Sequence, residues 1–389
     1  MQSIDDIAAR HRRVTADARL AQRYYDGAFR IPFSTPRLRR AYRRLMAGAQ
    51  TAYCAPVVDA YTSRTGASWA GLDVTGPAVI HEMFLAGYAV IALQAGSAWV
   101  QPACQWALPD DTWPASRMWA TGDGAQHIAV FPGDGTVRSW ASPQAGGWRP
   151  EAEDGGVQLI TAARPGGSII RDIIPVQDQI NYLVACELIG VDRAVMPLWY
   201  ILSSMQSALE ADAKIDMDPS IESILAIVGD QAGAFPTPDI ASIQKMRESA
   251  EKKVAAVSGM PAYLLDGGTP PSGTALAIAS ERMTAAARAC QQAADKPLRQ
   301  AAALIDVADP DGLAWHDPAP TTSTDRAAYA GQLRQLGLPP DVWLPAAGID
   351  PQAACADGRT VLEAVTASDA RDAGSLARAL YSGGRSGLG

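Results

Sequence analysis

The chain is poor in the residues from which most catalytic and metal sites are built. Its 389 residues include only four histidines, His11, His81, His127 and His316, and five cysteines, Cys54, Cys104, Cys186, Cys290 and Cys355. No histidine has a partner at metal-ligand spacing, and His81-Glu82 lacks the second histidine of a zincin helix. The cysteines are odd in number, widely spaced and never paired as CxxC, which argues against a disulfide framework or a zinc site and fits a reducing compartment. The only lysines are Lys214, Lys245, Lys252, Lys253 and Lys296. None follows a glycine loop and GxxxxGK[ST] is missing, which excludes a P-loop ATPase. There is no GxSxG elbow. The Gly-Asp-Gly runs at 122–124 and 133–135 lack the context of a dinucleotide fingerprint and read as hairpin turns. The expectation is a protein with no metal, no cofactor and no catalytic residues, with an unrecognised hydrolase left open as an alternative that no motif supports.

Long apolar runs are also missing. Met83 to Val100 comes nearest to a membrane span, but Gly87, Gln94, Gly96 and Ser97 interrupt it. The first fifteen residues carry Asp5, Asp6, Arg10, Arg12 and Arg13, unlike a secretory leader. No membrane role is expected. Asparagine occurs once, at Asn181, and arginine far outnumbers lysine, a bias typical of a high-GC genome.

What is present is a folding composition, 48% hydrophobic and 19% charged, far from that of a disordered chain. The net charge of −8 is unevenly spread, because residues 1–64 hold twelve arginines against five aspartates. A basic end can meet nucleic acid or an acidic partner. The simpler reading makes Arg39, Arg40, Arg43 and Arg44 the solvated face of a helix that buries Leu38, Tyr42 and Leu45.

Helical spacing predicts helices over 2–26 and 37–63, separated by the two prolines of 31–36. From about 76 to 170 one helix (76–86) and short strands such as 88–93 and 127–131 form an α+β region. A long helix over 174–196 follows, ended or kinked by Pro197. Then comes an acidic stretch carrying Asp212, Asp216, Asp218, Glu222 and Asp230 around the strand-like 224–228. Thr237-Pro238-Asp239 opens a helix to about 258, with Thr237 as cap. Ile243, Met246, Ala250, Val254 and Val257 form its apolar stripe, and Lys245, Arg247, Glu248, Glu251, Lys252 and Lys253 its charged face. Glu248 and Lys252 stand at the supportive i, i+4 spacing. Residues 261–272 are Gly- and Pro-rich and read as a loop. Ser272 caps an alanine-rich helix to about 306 that Pro297 should kink. Short helices and a Gly-rich end complete the chain.

Four local matches, in order, resemble the portal proteins of siphovirus-type tailed phages. They are Arg23-Tyr24-Tyr25-Asp26-Gly27 followed by Val57 to Arg64; Asp172 to Asn181; Ser258-Gly259-Met260-Pro261 with Pro271 to Leu276; and Trp315-His316-Asp317-Pro318 with Gly348-Ile349-Asp350-Pro351. The chain is short for that family, and its acidic stretch and C-terminal portion are small.

The resemblance implies an α+β phage portal fold, and a homo-oligomeric ring of about twelve subunits at a capsid vertex. Its parts would be an α/β wing (1–173), a first stem helix (174–205), a small clip (206–236), a second stem helix (237–259) and a tunnel loop (260–272). A long kinked helix of the wing (273–308) and a helical crown with a Gly-rich tail (309–389) would follow. Double-stranded DNA would pass through the ring during packaging and ejection. The terminase large subunit and the head-to-tail adaptor would dock at the clip through Asp212, Asp216, Asp218, Glu222 and Asp230. Major capsid and scaffolding proteins would be further partners, and the location would be the virion, with the host cytoplasm during assembly. Leu264, Leu265, Asp266, Gly267, Gly268, Thr269, Pro270, Pro271 and Ser272 would narrow the tunnel. Lys245, Arg247, Lys252 and Lys253 would either touch DNA phosphates or pair with Glu248 and Glu251 between subunits. Another virion structural ring is the nearer alternative function.

Overall fold

A computed structural model describes residues 3–28, 51–69, 71–143, 147–195, 199–202, 231–234, 236, 239–269, 271, 274–305, 312–320, 330–346, 360–363 and 365–366. It has mixed α and β structure, as expected, and divides into two compact units, residues 1–269 with 282–318, and 270–281 with 319–389.

The first unit opens on two helices, α1 (Ile4–Val14) and α2 (Ala16–Tyr25), where the spacing predicted one. The break is at Thr15, a buried β-branched residue whose hydroxyl donates back to the His11 carbonyl at 2.8 Å. Helix α3 (Cys54–Arg64) is the C-terminal part of the helix predicted over 37–63, whose residues 37–50 lie outside the described residues. Helix α4 (Thr75–Leu85) feeds β2 (Tyr88–Gln94) through Gly87, which needs its positive φ of 92°.

Strand β2 is the centre of a three-stranded antiparallel sheet, flanked by β3 (Ser97–Val100) and β9 (Gln158–Ala163). It reads as a continuous apolar run because both of its faces are covered. Ile91 and Leu93 join the helical core, while Val90 and Ala92 meet Trp106 and Phe131 of a second sheet. That sheet is a five-stranded antiparallel meander, β4 (Trp106–Ala107), β5 (Ala115–Ala120), β6 (Gln126–Phe131), β7 (Thr136–Ser142) and β8 (Arg149–Gly155). The two Gly-Asp-Gly runs are its hairpin turns, with Gly124, Gly133 and Gly135 at positive φ. Its other face packs Ile128 and Val130 against Ile7 and Ala8 of α1.

Helix α5 (Ile169–Val195) starts five residues before the predicted 174 and carries Pro175 inside it. Ser168 allows the earlier start, its hydroxyl accepting the Ile170 amide at 3.2 Å and donating to the Leu85 carbonyl. The predicted first stem helix over 174–205 is corrected at its end, where Trp199–Leu202 forms strand β10, paired antiparallel with β11 (Gln231–Ala234). Helix α6 (Ile240–Ser258) is capped by Asp239, not by Thr237, the carboxylate accepting the Ser242 amide. Gly259 ends it in the left-handed conformation.

The predicted loop 261–272 contains a single helical turn, α7 (Tyr263–Asp266). Helix α8 (Thr274–Leu304) holds Pro297 within it and buries Met283, Ala287, Cys290, Ala294, Leu298 and Ala301, a stripe at spacings of three and four. A short ladder between β1 (Ala67–Ser68) and β12 (Ala314–Trp315) ties the end of α3 to the segment after α8. Trp315 there stands edge-on to Trp69 and donates its indole N–H to Asp295 at 2.8 Å. In the second unit residues 330–335 are helical, α9 spans Pro340–Ala346, and Arg334 lies over the Trp343 ring.

Candidate functional site

Helices α5 and α6 form an antiparallel hairpin. Glu187 of α5 meets Gln244 and Arg247 of α6, whereas Tyr53, which bonds Gln177 near the start of α5, meets Glu251 further along α6. Beyond the helix ends the β10–β11 ladder closes the hairpin, and residues 203–230 run between its strands. Ala250 and Val254 of α6 are fully buried, with Ile243 packed on the same core. The predicted stripe is only partly covered, since Met246 is 55% exposed and Val257 39%. On α5, Val191 and Val195 stay exposed as well.

The four stem cations are not equivalent. Arg247 is half-buried and held by two carboxylates, Glu187 at 3.0 Å and Glu251 at 2.6 Å. Burial works against its charge, and the hydrogen bonds to Glu251 and Glu187 outweigh that and raise its pKa. The i, i+4 pair found on α6 is Arg247–Glu251, where Glu248–Lys252 was expected. Lys245, Lys252 and Lys253 are exposed and make no ion pair among the described residues. Glu187 and Tyr53 were missed by sequence reasoning, because they lie far along the chain from α6. Burial, and then the charge of Glu251, push the Tyr53 hydroxyl up to about 12, so it stays a proton donor to that carboxylate.

One flank of α6 opens into a cleft of about 230 Å³, lined by Tyr53, Glu248, Glu251, Lys252, Ala255, Ala262 and Leu265. The loop continues from there. Leu264 is exposed, Leu265 packs on the core, and Gly267 takes the left-handed conformation that only glycine adopts cheaply. Gly268 and Thr269 are exposed. Pro270, Ser272 and all five acidic residues assigned to partner docking, Asp212, Asp216, Asp218, Glu222 and Asp230, lie outside the described residues.

Among the described residues there is no group of three or more His, Cys, Asp or Glu side chains placed to hold a metal ion. None of the described helices is long and apolar enough to cross a membrane. Cys54 and Cys290 are buried and their thiols are pushed up to about 12 by desolvation, which leaves them little nucleophilic.

No protein-family model matches the chain. No curated protein matches it either. Among solved structures, the chain is similar to one from the virion of a native gene transfer agent particle, at 14% identity and a TM-score of 0.39, covering 86% of this chain and 94% of that one.

Proposed function

We propose that this chain is the subunit of a phage-type portal, a homo-oligomeric ring of structural rather than catalytic function at a capsid vertex. Double-stranded DNA would pass through it during packaging and ejection. The observation that carries this reading is the α5–α6 hairpin, two long antiparallel helices closed by a two-stranded ladder whose strands are separated in the sequence by residues 203–230. A portal uses that arrangement as a stem ending in a clip. The clip here would meet the terminase large subunit during packaging and the head-to-tail adaptor afterwards, and capsid and scaffolding proteins would surround the ring. The four motif matches fall in the order this layout requires. Val191, Val195, Met246 and Val257, left exposed on one chain, are surface that neighbouring subunits would cover.

The charge distribution suits a conduit. A protein that grips DNA neutralises many phosphates and releases their counterions, whereas a channel must let the duplex slide. The chain is acidic overall, and of the four cations of α6 Lys245, Lys252 and Lys253 make no ion pair among the described residues, Arg247 being held by its carboxylates. No nucleotide site is needed, because ATP hydrolysis would belong to the terminase.

Native mass spectrometry together with images of negatively stained particles tests the proposal. The expected result is closed rings with a mass near twelve times the 41.0 kDa of one chain. A protein that stays monomeric or dimeric across concentration and salt would overturn it, and would fit the hydrolase alternative better.

A further inference from the structure

Helix α6 is asymmetric about its axis in a way the hairpin does not use. At 3.6 residues per turn, the packed residues Ile243, Ala250 and Val254 fall within roughly 40° of one another. On one side of them lie Met246, Lys253 and Val257, within about 40° of each other and all exposed. On the other side, about 140–240° around from Met246, lie Glu251, Ala255, Glu248 and Lys252, which line the cleft with Tyr53 and Leu265. One flank is therefore an apolar ridge carrying a cation, and the other an apolar hollow edged by Glu248, Glu251 and Lys252. The hollow is several times the ~30 Å³ share of a water molecule, enough to admit a side chain.

We propose that these flanks are the two halves of one head-to-tail interface, so that Val257 of one subunit enters the cleft of the next while Lys253 pairs with its Glu248. Met246 would extend the same contact. The inference rests on the ring reading above and names the surfaces that close the ring. The occupant is a second copy of this chain, for two reasons. The charges are complementary where Lys253 on the ridge meets Glu248 at the cleft, Glu251 being held by Arg247 and Tyr53 of its own chain. Ridge and cleft also share the same turns of α6, residues 248–257, so a rotation brings one onto the other without a slide along the helix. A heterologous contact related by rotation alone closes into a ring, whereas one that needs a slide grows into a filament.

Two sets of variants test this, read by native mass spectrometry of the full chain. Lys253→Glu places a carboxylate against Glu248 in place of its cation, and should raise the concentration needed for half-assembly by at least about tenfold. Adding Glu248→Lys to it should restore most of the loss. In the second set, Val257→Cys with Ala255→Cys should give a ladder of disulfide-linked oligomers on mild oxidation, and neither single variant should. The two cysteines cannot bridge within one chain, because residues i and i+2 of a helix do not face each other. Wild-type rings combined with silent charge variants and no ladder would overturn this interface and leave the ring standing. A wild-type chain that never forms rings would overturn the ring reading, and this inference with it.

Discussion

Gln177 should be among the most costly polar side chains in the protein to replace. It is fully buried on α5, and its amide serves two backbone groups just ahead of α3. Its Oε1 accepts the Tyr53 N–H at 2.7 Å, and its Nε2 donates to the Thr51 carbonyl at 2.5 Å. One turn further on, Asn181 accepts the Thr51 N–H at 2.9 Å. The residue before α3 supplies no side-chain cap of its own, so α5 does the capping from across the core. Gln177→Leu keeps the volume and strands one donor and one acceptor. Each buried unsatisfied group costs about 1–3 kcal/mol, and the region is partly solvated, so a loss of roughly 2–4 kcal/mol is expected. Gln177→Glu should cost less at acidic pH than at neutral pH, because only the protonated acid can donate to Thr51. Urea unfolding followed by circular dichroism gives the stability change, and hydrogen exchange at the Tyr53 amide locates it. If Gln177→Leu unfolds within about 0.5 kcal/mol of wild type while Tyr53 keeps its protection, the capping argument is wrong.

Three further outcomes follow from the same reasoning. His11 is buried, with its Nδ1 2.9 Å from Ser116 Oγ, and burial, helped by Arg19, Arg10 and Arg12, lowers its pKa to about 4. The unfolded chain binds this proton near pH 6.5, so stability should fall as pH drops from 6.5 to 4, by up to about 3 kcal/mol, and His11→Gln should remove that slope in urea titrations. Gly87→Ala should cost about 3 kcal/mol or more in the same assay, because φ is 92° and a Cβ would sit 2.7 Å from the backbone of Gly167 and Ser168. Deleting Asp266 to Thr269 should leave ring assembly intact, loop length being cheap at roughly 0.6 kcal/mol per doubling, yet lower the DNA retained per capsid; wild-type packaging would refute the tunnel role of this loop.

Much of this architecture was legible in the chain before any packing was known, and the misses share one character. The long helix α8, the β5–β6 and β6–β7 hairpins and the Gly259 stop were readable because each depends on residues within a few positions of one another. The early start of α5 was missed because Ser168 is fixed partly by the carbonyl of Leu85, 83 residues away. The break at Thr15 was hidden inside an unbroken helical pattern. At the candidate site, the cations and the loop were singled out by type and position. What they touch was not, since Glu187 reaches Arg247 across 60 positions and Tyr53 reaches Glu251 across 198.

Sequence alone thus determined the order and kind of most of the long elements, the positions of the hairpin turns and the want of any metal, nucleotide or nucleophile motif. These follow from local backbone preference, hydrophobic period and the types of side chain present. Only the tertiary structure decided that Arg247 is held by carboxylates while Lys253 is not, that strands β10 and β11 close the hairpin, and that the two flanks of α6 differ. Those outcomes depend on which distant segments the core brings into contact, and the period of a helix says which residues share a face without saying what the face will meet.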